Sequence, residues 1–387
     1  MKKLRAAIDD IDDRILRALA QRRKKTLSII RKKTAGGRPL RDERREESVL
    51  GRLISVGRKL GLDAQYVTRV FHEVIDDSVR FQERQLLGET HPLRKDAIRV
   101  VYQGIEGAYS QLAAERFFAR DLDRTTMSGC ASFEDVVRSV EEGGSDCGFL
   151  PIENTTAGSI NEVYDLLAKT HLSIVGEEVL PIRHCLLAVQ EVPTSRIRRV
   201  LSHPQALAQC TRFLSKLENC QSEYCADTAL AVQKVKRDQD LSQAAIASET
   251  AGRRYGLKVL QRDVADHRDN FTRFLAIAPK PVPVDSRVPC KTSLVMAVAH
   301  HEGALLRALD VFHRNKINLT KLESRPRRGA SFQYMFYLDF QGNVTTPQVD
   351  RALTDLKPRT TYLKVLGSYP AQKRRRTAPS SSVLRKR

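Results

Sequence analysis

The stretch RRKKTLSIIRKKTAGGRPLRDERREE, Arg22 to Glu47, gathers cations in its first half and mixes charges in its second. At about 100° per residue, Arg22 and Lys33 fall on the stripe that Leu4, Ile8, Ile11 and Ile15 begin upstream. Arg23, Lys24, Lys25, Arg31 and Lys32 fall off it. Most of the basic run therefore predicts a solvated face, while two cations point where a core should lie. Unpaired charge is costly to bury, so something anionic should meet them. Asp42 and Glu46 can each supply an internal salt bridge, and a small doubly charged ligand is the other solution. A third helical stretch places Val67, Phe71 and Val74 on one seam and continues that seam through Ser78 to Gln82. The second contributes Asp42, Arg45 and Glu46 at its start. Inward cations, inward Ser and Gln, and a mixed-charge helix start together favour a ligand pocket over isolated salt bridges.

Working outward, Gly36, Gly37 and Pro39 break the first helix, and residues 1–90 read as three helices in all. From Ile98 short strands and helices alternate to Ala278, which predicts an α/β domain over 97–279. The proline-rich PKPVPVDSRVP closes it. Residues 291–368 then run β-α-β-β-α-β, the ferredoxin-like order of an α+β domain. The tail, 371–387, carries KRRRTAPSSSVLRKR and reads as disordered and solvated. It accounts for part of the net charge of +20; the rest is spread along the chain and favours capture of anionic metabolites over specific nucleic-acid binding.

No apolar run approaches the roughly 20 residues of a membrane span. MKKLRAAIDDIDDRIL lacks the apolar core of a signal peptide, so a cytoplasmic protein is expected. The seven cysteines form no CxxC pair and predict reduced, mostly buried thiols. His184 and His203 have no partner at metal-ligand spacing, so no metal is implied.

Within the α/β segment, polar residues gather at strand ends, where open α/β sheets bind ligands. YQGIEGAYSQLAAERFF offers Gly104, Gly107 and Ser110 as sources of backbone N–H groups. PIENTTAGSINEVYDLL offers Asn154, Thr155 and Thr156; SHPQALAQC offers Ser202, Gln205 and Gln209; NFTRF offers Asn270, Thr272 and Arg273. Taken singly, each is equally a cap or a turn.

LRAAIDDIDDRILRALAQRR, RPLRDERREE and DDSVRFQ resemble the all-helical chorismate mutases, and the later motifs resemble the prephenate dehydratases and their regulatory domain, in that order. Residues 4 to 368 thus resemble the bifunctional chorismate mutase–prephenate dehydratases. The resemblance implies a three-helix mutase in an intertwined homodimer, a two-lobed dehydratase similar to periplasmic binding proteins, and a ferredoxin-like ACT domain. It implies that chorismate rearranges to prephenate in one pericyclic step, and that prephenate loses carbon dioxide and its ring hydroxyl to give phenylpyruvate, without a cofactor.

In the mutase, the resemblance assigns Lys33 and Gln82 to the ether oxygen, where an amide donates without titrating. Arg22, and Arg5 from the partner subunit, grip the carboxylates; Arg45 and Ser78 orient the ligand; Glu46 with Asp42 holds the ring hydroxyl. In the dehydratase, Thr272 assists the leaving hydroxyl, and Ser110, Asn154, Thr155, Ser202, Gln209 and Arg273 bind substrate. GALL (Gly303, Ala304, Leu305, Leu306) and ESRP (Glu323, Ser324, Arg325, Pro326) resemble the phenylalanine-binding motifs of ACT domains, which implies feedback inhibition. Two alternatives remain at this level: a ligand-sensing homologue with impaired catalysis, and a mutase fused to another prephenate-processing activity. A dehydrogenase would need a dinucleotide fingerprint, and GIEGAYS is not GxGxxG.

Overall fold

A computed structural model describes residues 2–36, 43–86, 97–285, 288–326 and 333–372. The chain divides into two units, Met1–His91 with Pro283–Cys290, and Pro92–Val282 with Lys291–Arg387. Among the described residues no helix is long and apolar enough to cross a membrane.

The first unit holds α1 (Lys2–Gly36), α2 (Glu43–Lys59) and α3 (Ala64–Leu86). Gly61, at φ 76°, reverses the chain after α2, a conformation that a side chain would strain. Asp63 then caps α3, its Oδ1 accepting from the N–H groups of Gln65 (2.8 Å) and Tyr66 (3.0 Å). Gly57 lets α2 approach closely, because a Cβ there would meet Val67 Cγ2 at 2.6 Å. Val67, Ile75 and Val79 are buried. The stripe of α1 is different. Leu4, Ile8, Ile11, Ile15 and Leu19 remain 67, 57, 48, 52 and 40% exposed, so the seam that periodicity assigns to a core lies uncovered in the single chain. Arg22 and Arg23, well past this stripe, tie α1 to α3.

The second unit begins with a mixed sheet ordered β2-β1-β3-β11-β5. Its strands are β1 (Ile98–Gln103), β2 (Thr125–Cys130), β3 (Cys147–Asn154), β5 (Ser173–Pro181) and β11 (Phe271–Ala278), with a two-residue β4 (Gly158–Ser159) paired to β3. β1 runs parallel to β2 and β3, whereas β11 inserts antiparallel between β3 and β5. Helices α4 (Tyr109–Phe117), α5 (Phe133–Glu141) and α6 (Asn161–Lys169) connect them.

The chain leaves this lobe after β5 and returns at β11. In between it builds a second sheet, ordered β10-β6-β9-β7-β8, from β6 (Cys185–Ala188), β7 (Arg199–Ser202), β8 (Gln221–Tyr224), β9 (Gln243–Ala247) and β10 (Lys258–Gln261). Helices α7 (Pro204–Ala208), α8 (Thr211–Leu214), α9 (Thr228–Asp238) and α10 (Glu249–Arg254) belong to this lobe. Apolar clusters around Leu187 and Val232 and around Leu186 and Ile246 form its core.

The last segment runs β12 (Cys290–Ala297), α11 (Ala304–Arg314), β13 (Leu319–Pro326), β14 (Tyr334–Gln341), α12 (Pro347–Leu356) and β15 (Tyr362–Pro370), in a sheet ordered β13-β14-β12-β15. Strand alternation gives this sheet two apolar faces. Leu294, Met296 and Leu338 pack with Phe312 and Leu356 of α11 and α12. Val295, Tyr337, Leu366 and Tyr369 pack with Leu150, Ile152, Leu275 and Ile277 of the first lobe.

Candidate active sites

In the helical unit, Arg22 is half-buried and its Nη1 donates to Val74 O at 3.0 Å and to Ser78 Oγ. Ser78 is buried and donates in turn to Val74 O at 2.9 Å. Burial lowers the Arg22 pKa, and the field of Asp77 opposes that shift. Arg22 and Ser78 are thus together. Arg5 and Arg45 are exposed on their helices, and Glu46 is half-buried. Asp42 lies outside the described residues, as do the side chains of Lys33 and Gln82.

In the α/β unit, one hydrogen-bonded network joins the two lobes. Thr272 on β11 stands opposite Asn154 on β3, and Asn154 Nδ2 donates to Thr272 Oγ1 at 2.9 Å and to Asn270 Oδ1 at 2.7 Å. Asn154 Oδ1 accepts from the N–H groups of Thr156 and Ala157 and from Thr156 Oγ1, a local turn that fixes the amide. Thr155 staples the same corner, with Oγ1 donating to Asp269 O and accepting from Phe271 N–H, both at 2.9 Å.

From the second lobe, Gln209 at the end of α7 donates through Nε2 to Thr156 Oγ1 (2.7 Å) and Asn154 Oδ1 (3.3 Å). Its Oε1 accepts from Asn270 Nδ2 at 2.8 Å. His184 is buried, with Nε2 3.0 Å from Gln209 Oε1 and Nδ1 3.2 Å from the Tyr109 hydroxyl. Burial pushes the His184 pKa down and the Tyr109 pKa well up, so both are neutral at ordinary pH. The His184 Nε2–H tautomer is the one that satisfies Gln209 Oε1. Asp227 holds the first-lobe turn from the other side, its Oδ2 accepting from Ile105 N–H at 3.3 Å. Gly104, at φ 104°, has no room for a Cβ beside that carboxylate.

Asn154, Thr272 and Gln209 therefore converge, as the sequence suggests, and Tyr109, His184 and Asn270 join them. Asn270 is singled out by its motif; Tyr109 lies inside YQGIEGAYSQLAAERFF without being marked by it, and no motif contains His184. Three expectations fare differently. The N–H groups of Gly104 and Gly107 are taken by Cys130 O (2.8 Å) and Gln111 Oε1 (2.7 Å), so they are not anion donors here. Ser110 is buried at the start of α4, and Ser202 is buried with its Oγ donating to Ile246 O at 2.5 Å. Arg273 departs from Thr272 altogether. Strand alternation turns it to the opposite face of β11, where Glu153, Glu177 and Asp339 surround it.

Gly303 adopts φ 72° ahead of α11, Ala304 is buried, Leu305 packs into the core of its domain and Leu306 is 71% exposed. Along β13 the side chains alternate. Glu323 Oε2 accepts from Ser159 Oγ at 2.8 Å and Arg325 Nη2 donates to Asp165 Oδ2 at 3.4 Å, both on the first lobe. Ser324 and Pro326 are exposed. The ESRP residues thus do not share one groove: two hold the strand against the lobe and two face away. Among the described residues, no group of three or more His, Cys, Asp or Glu side chains is placed to hold a metal ion, and no disulfide joins any of the seven cysteines.

Two known enzyme families match successive parts of the chain, an isomerase family and then a lyase family. Residues 4–83 match the family model of chorismate mutase type II, and residues 100–282 match that of prephenate dehydratase. The chain is 42% identical over 369 residues to the bifunctional chorismate mutase/prephenate dehydratase of Escherichia coli K12, covering 95% of this chain and 96% of that one. It is 35% identical to the enzyme of that name from Buchnera aphidicola subsp. Schizaphis graminum, with the same coverage. Among solved structures, the prephenate dehydratase of Arthrobacter aurescens in complex with L-Phe is 29% identical, with a TM-score of 0.65 over 71% of this chain and 90% of that one. The chain belongs to the bifunctional chorismate mutase/prephenate dehydratases, enzymes of phenylalanine biosynthesis, and carries both activities.

Proposed function

We propose that the corner formed by Asn154, Gln209 and Thr272 is where prephenate loses its hydroxyl. The observation that carries this reading is the 2.9 Å bond from Asn154 Nδ2 to Thr272 Oγ1. It occupies an acceptor position of the threonine, and among the described residues none accepts the Thr272 hydroxyl proton. That proton is left to point at substrate. In the reaction the bond from the ring to the departing carboxyl group breaks as carbon dioxide forms. Its electron pair enters the ring and expels the hydroxyl, and aromatisation drives the step. A threonine hydroxyl is a poor acid, so Thr272 polarises the leaving oxygen, which ends as water with a proton from solvent. Asn154 and Gln209 orient the ring, and Thr155 shapes the corner beside them. Thr272→Ala should remove phenylpyruvate formation from supplied prephenate while leaving chorismate turnover intact; equal loss of both would overturn the assignment.

For the mutase, the same reading gives Arg22 and Ser78 one end of the dicarboxylate, Lys33 and Gln82 the ether oxygen, and Arg45, Glu46 and Asp42 the remaining contacts. A second copy of the chain covers the exposed α1 stripe and brings its own Arg5 to the site. Full burial of aliphatic side chains of that size is worth about 1.5–3 kcal/mol each, enough to drive association. The segment after residue 290 reads as a ferredoxin-like ACT domain that binds phenylalanine between two copies, near Gly303–Leu306 and the outward residues of ESRP. The L-Phe complex of the Arthrobacter enzyme supports an effector of this kind. The enzyme works in the cytoplasm without a cofactor.

A further inference from the structure

Asn154 and Thr272 face one side of the β3–β11 pair; their sequence neighbours Glu153 and Arg273, also opposite each other in register, face the other. There, six charges of balanced sign are packed together. Arg273 lies 2.8 Å from Glu153, 2.9 Å from Glu177 and 2.7 Å from Asp339. Lys291 meets Glu177 at 2.7 Å, and Lys321 pairs with Glu153. Arg273 Nη2 also donates to the buried Tyr369 hydroxyl at 3.3 Å, and that hydroxyl lies 2.6 Å from Ser293 Oγ. Glu153, Glu177 and Arg273 belong to the dehydratase sheet. Lys291, Lys321, Asp339, Ser293 and Tyr369 belong to the C-terminal sheet.

Adhesion alone does not account for this cluster. The apolar layer around it, with Leu150, Leu275, Val295 and Leu366 fully or nearly buried, already joins the two sheets. Burying ions costs several kcal/mol each, and well-packed apolar groups usually hold as firmly. What ions add is directional restraint, since removing one partner strands the others. The restraint acts one residue from each member of the Asn154–Thr272 pair. We propose that Arg273 is a positioning residue, and that through Arg273 and Glu153 the C-terminal sheet, by way of Asp339 and Lys321, sets the spacing of Asn154 and Thr272 on the catalytic face. This rests on the reading of Thr272 as part of the dehydratase site.

The test is made on the full-length enzyme with prephenate as substrate, using Asp339→Asn and Lys321→Gln, both on the C-terminal sheet and on the far side of the β3–β11 pair from Asn154 and Thr272. Displacing reacting groups by an ångström costs about 100-fold, and a loosened pair should lose about 10-fold in kcat with KM changed less than about twofold. Arg273→Lys, which keeps the charge but not the fork, should retain more kcat than Arg273→Gln. A cooperative thermal transition of the α/β unit in the same samples reports folding. Lys321→Gln removes only a partner at the rim of the cluster, and it decides the matter should Asp339→Asn fail to fold. Unchanged kcat in folded Lys321→Gln overturns the proposal, as does a loss expressed in KM alone. If Thr272→Ala is itself fully active, the site assignment fails. If Thr272→Ala is inactive while the C-terminal variants are normal, only the positioning role fails.

Discussion

The helical unit and the α/β unit solve the same problem, holding a small dicarboxylate, in opposite ways. In the α/β unit the proposed site draws all its named residues from one chain. Asn154, Thr156, Gln209, Asn270 and Thr272 satisfy one another across two lobes. The helical unit brings Arg22 to Ser78 but leaves the leading stripe of α1 uncovered. Three helices enclose too little volume to bury both a ligand and their own apolar faces, whereas the two sheets, joined by two crossings, bring their polar residues together in a single chain. One unit should therefore depend on association and the other should not.

The largest effect tests the self-contained unit. Thr272→Ala should lower dehydratase kcat about 100- to 1,000-fold, the usual scale for losing one preorganised donor to developing charge. Thr272→Ser should restore most of it. Chorismate consumption in the same sample should be unchanged. Next comes the dependent unit. Ile8→Asp with Ile15→Asp places charge on the exposed stripe and should dissociate the chain in sedimentation velocity. Mutase activity should fall at least about 10-fold, because well-oriented binding groups are lost with the partner, while prephenate turnover persists. A monomeric variant with full mutase activity would break the contrast between the units. Arg22→Ala is the more local probe. It removes a charge-assisted contact worth about 1.5–3 kcal/mol, and its loss should appear in chorismate turnover alone.

Much of this architecture was legible in the sequence because its signals are local. IRVVYQ and CGFLPIEN are β1 and β3, and the motif residues Asn154, Gln209 and Thr272 do converge. Topology was not legible. Nothing in FTRFLAIA says that β11 inserts antiparallel between β3 and β5, yet that insertion is what sets Thr272 against Asn154 and sends Arg273 to the far face. Amphipathic periodicity likewise marks which face of α1 is apolar, without saying whether this chain or another covers it. His184 and Tyr109 carry no pattern at all. They reach Gln209 only because the crossover after β5 and the start of α4 meet in space.

His184 provides the smallest and most specific test of the self-contained network. Burial depresses its pKa, with the bond to Gln209 acting weakly the other way, so the folded unit holds a neutral imidazole. The unfolded chain binds a proton near its ordinary pKa of about 6.5. Stability from this group is therefore fully present above about pH 6.5 and is lost as pH falls from there through the lowered folded pKa, by at most about 1.4 kcal/mol per pH unit. His203, whose pKa burial also lowers, adds a loss of the same sign. Denaturant melts of the α/β transition at pH 7.5 and 5.5 should show the wild type weakening at the lower pH. His184→Gln, which keeps a donor toward Gln209 but cannot titrate, should weaken by about 1 kcal/mol less over the same interval, leaving the His203 contribution behind. Equal pH slopes in the two proteins would mean that folded His184 takes up its proton as readily as the unfolded chain does, and the network linking Tyr109 to Gln209 would have to be redrawn around an imidazolium at the lower pH.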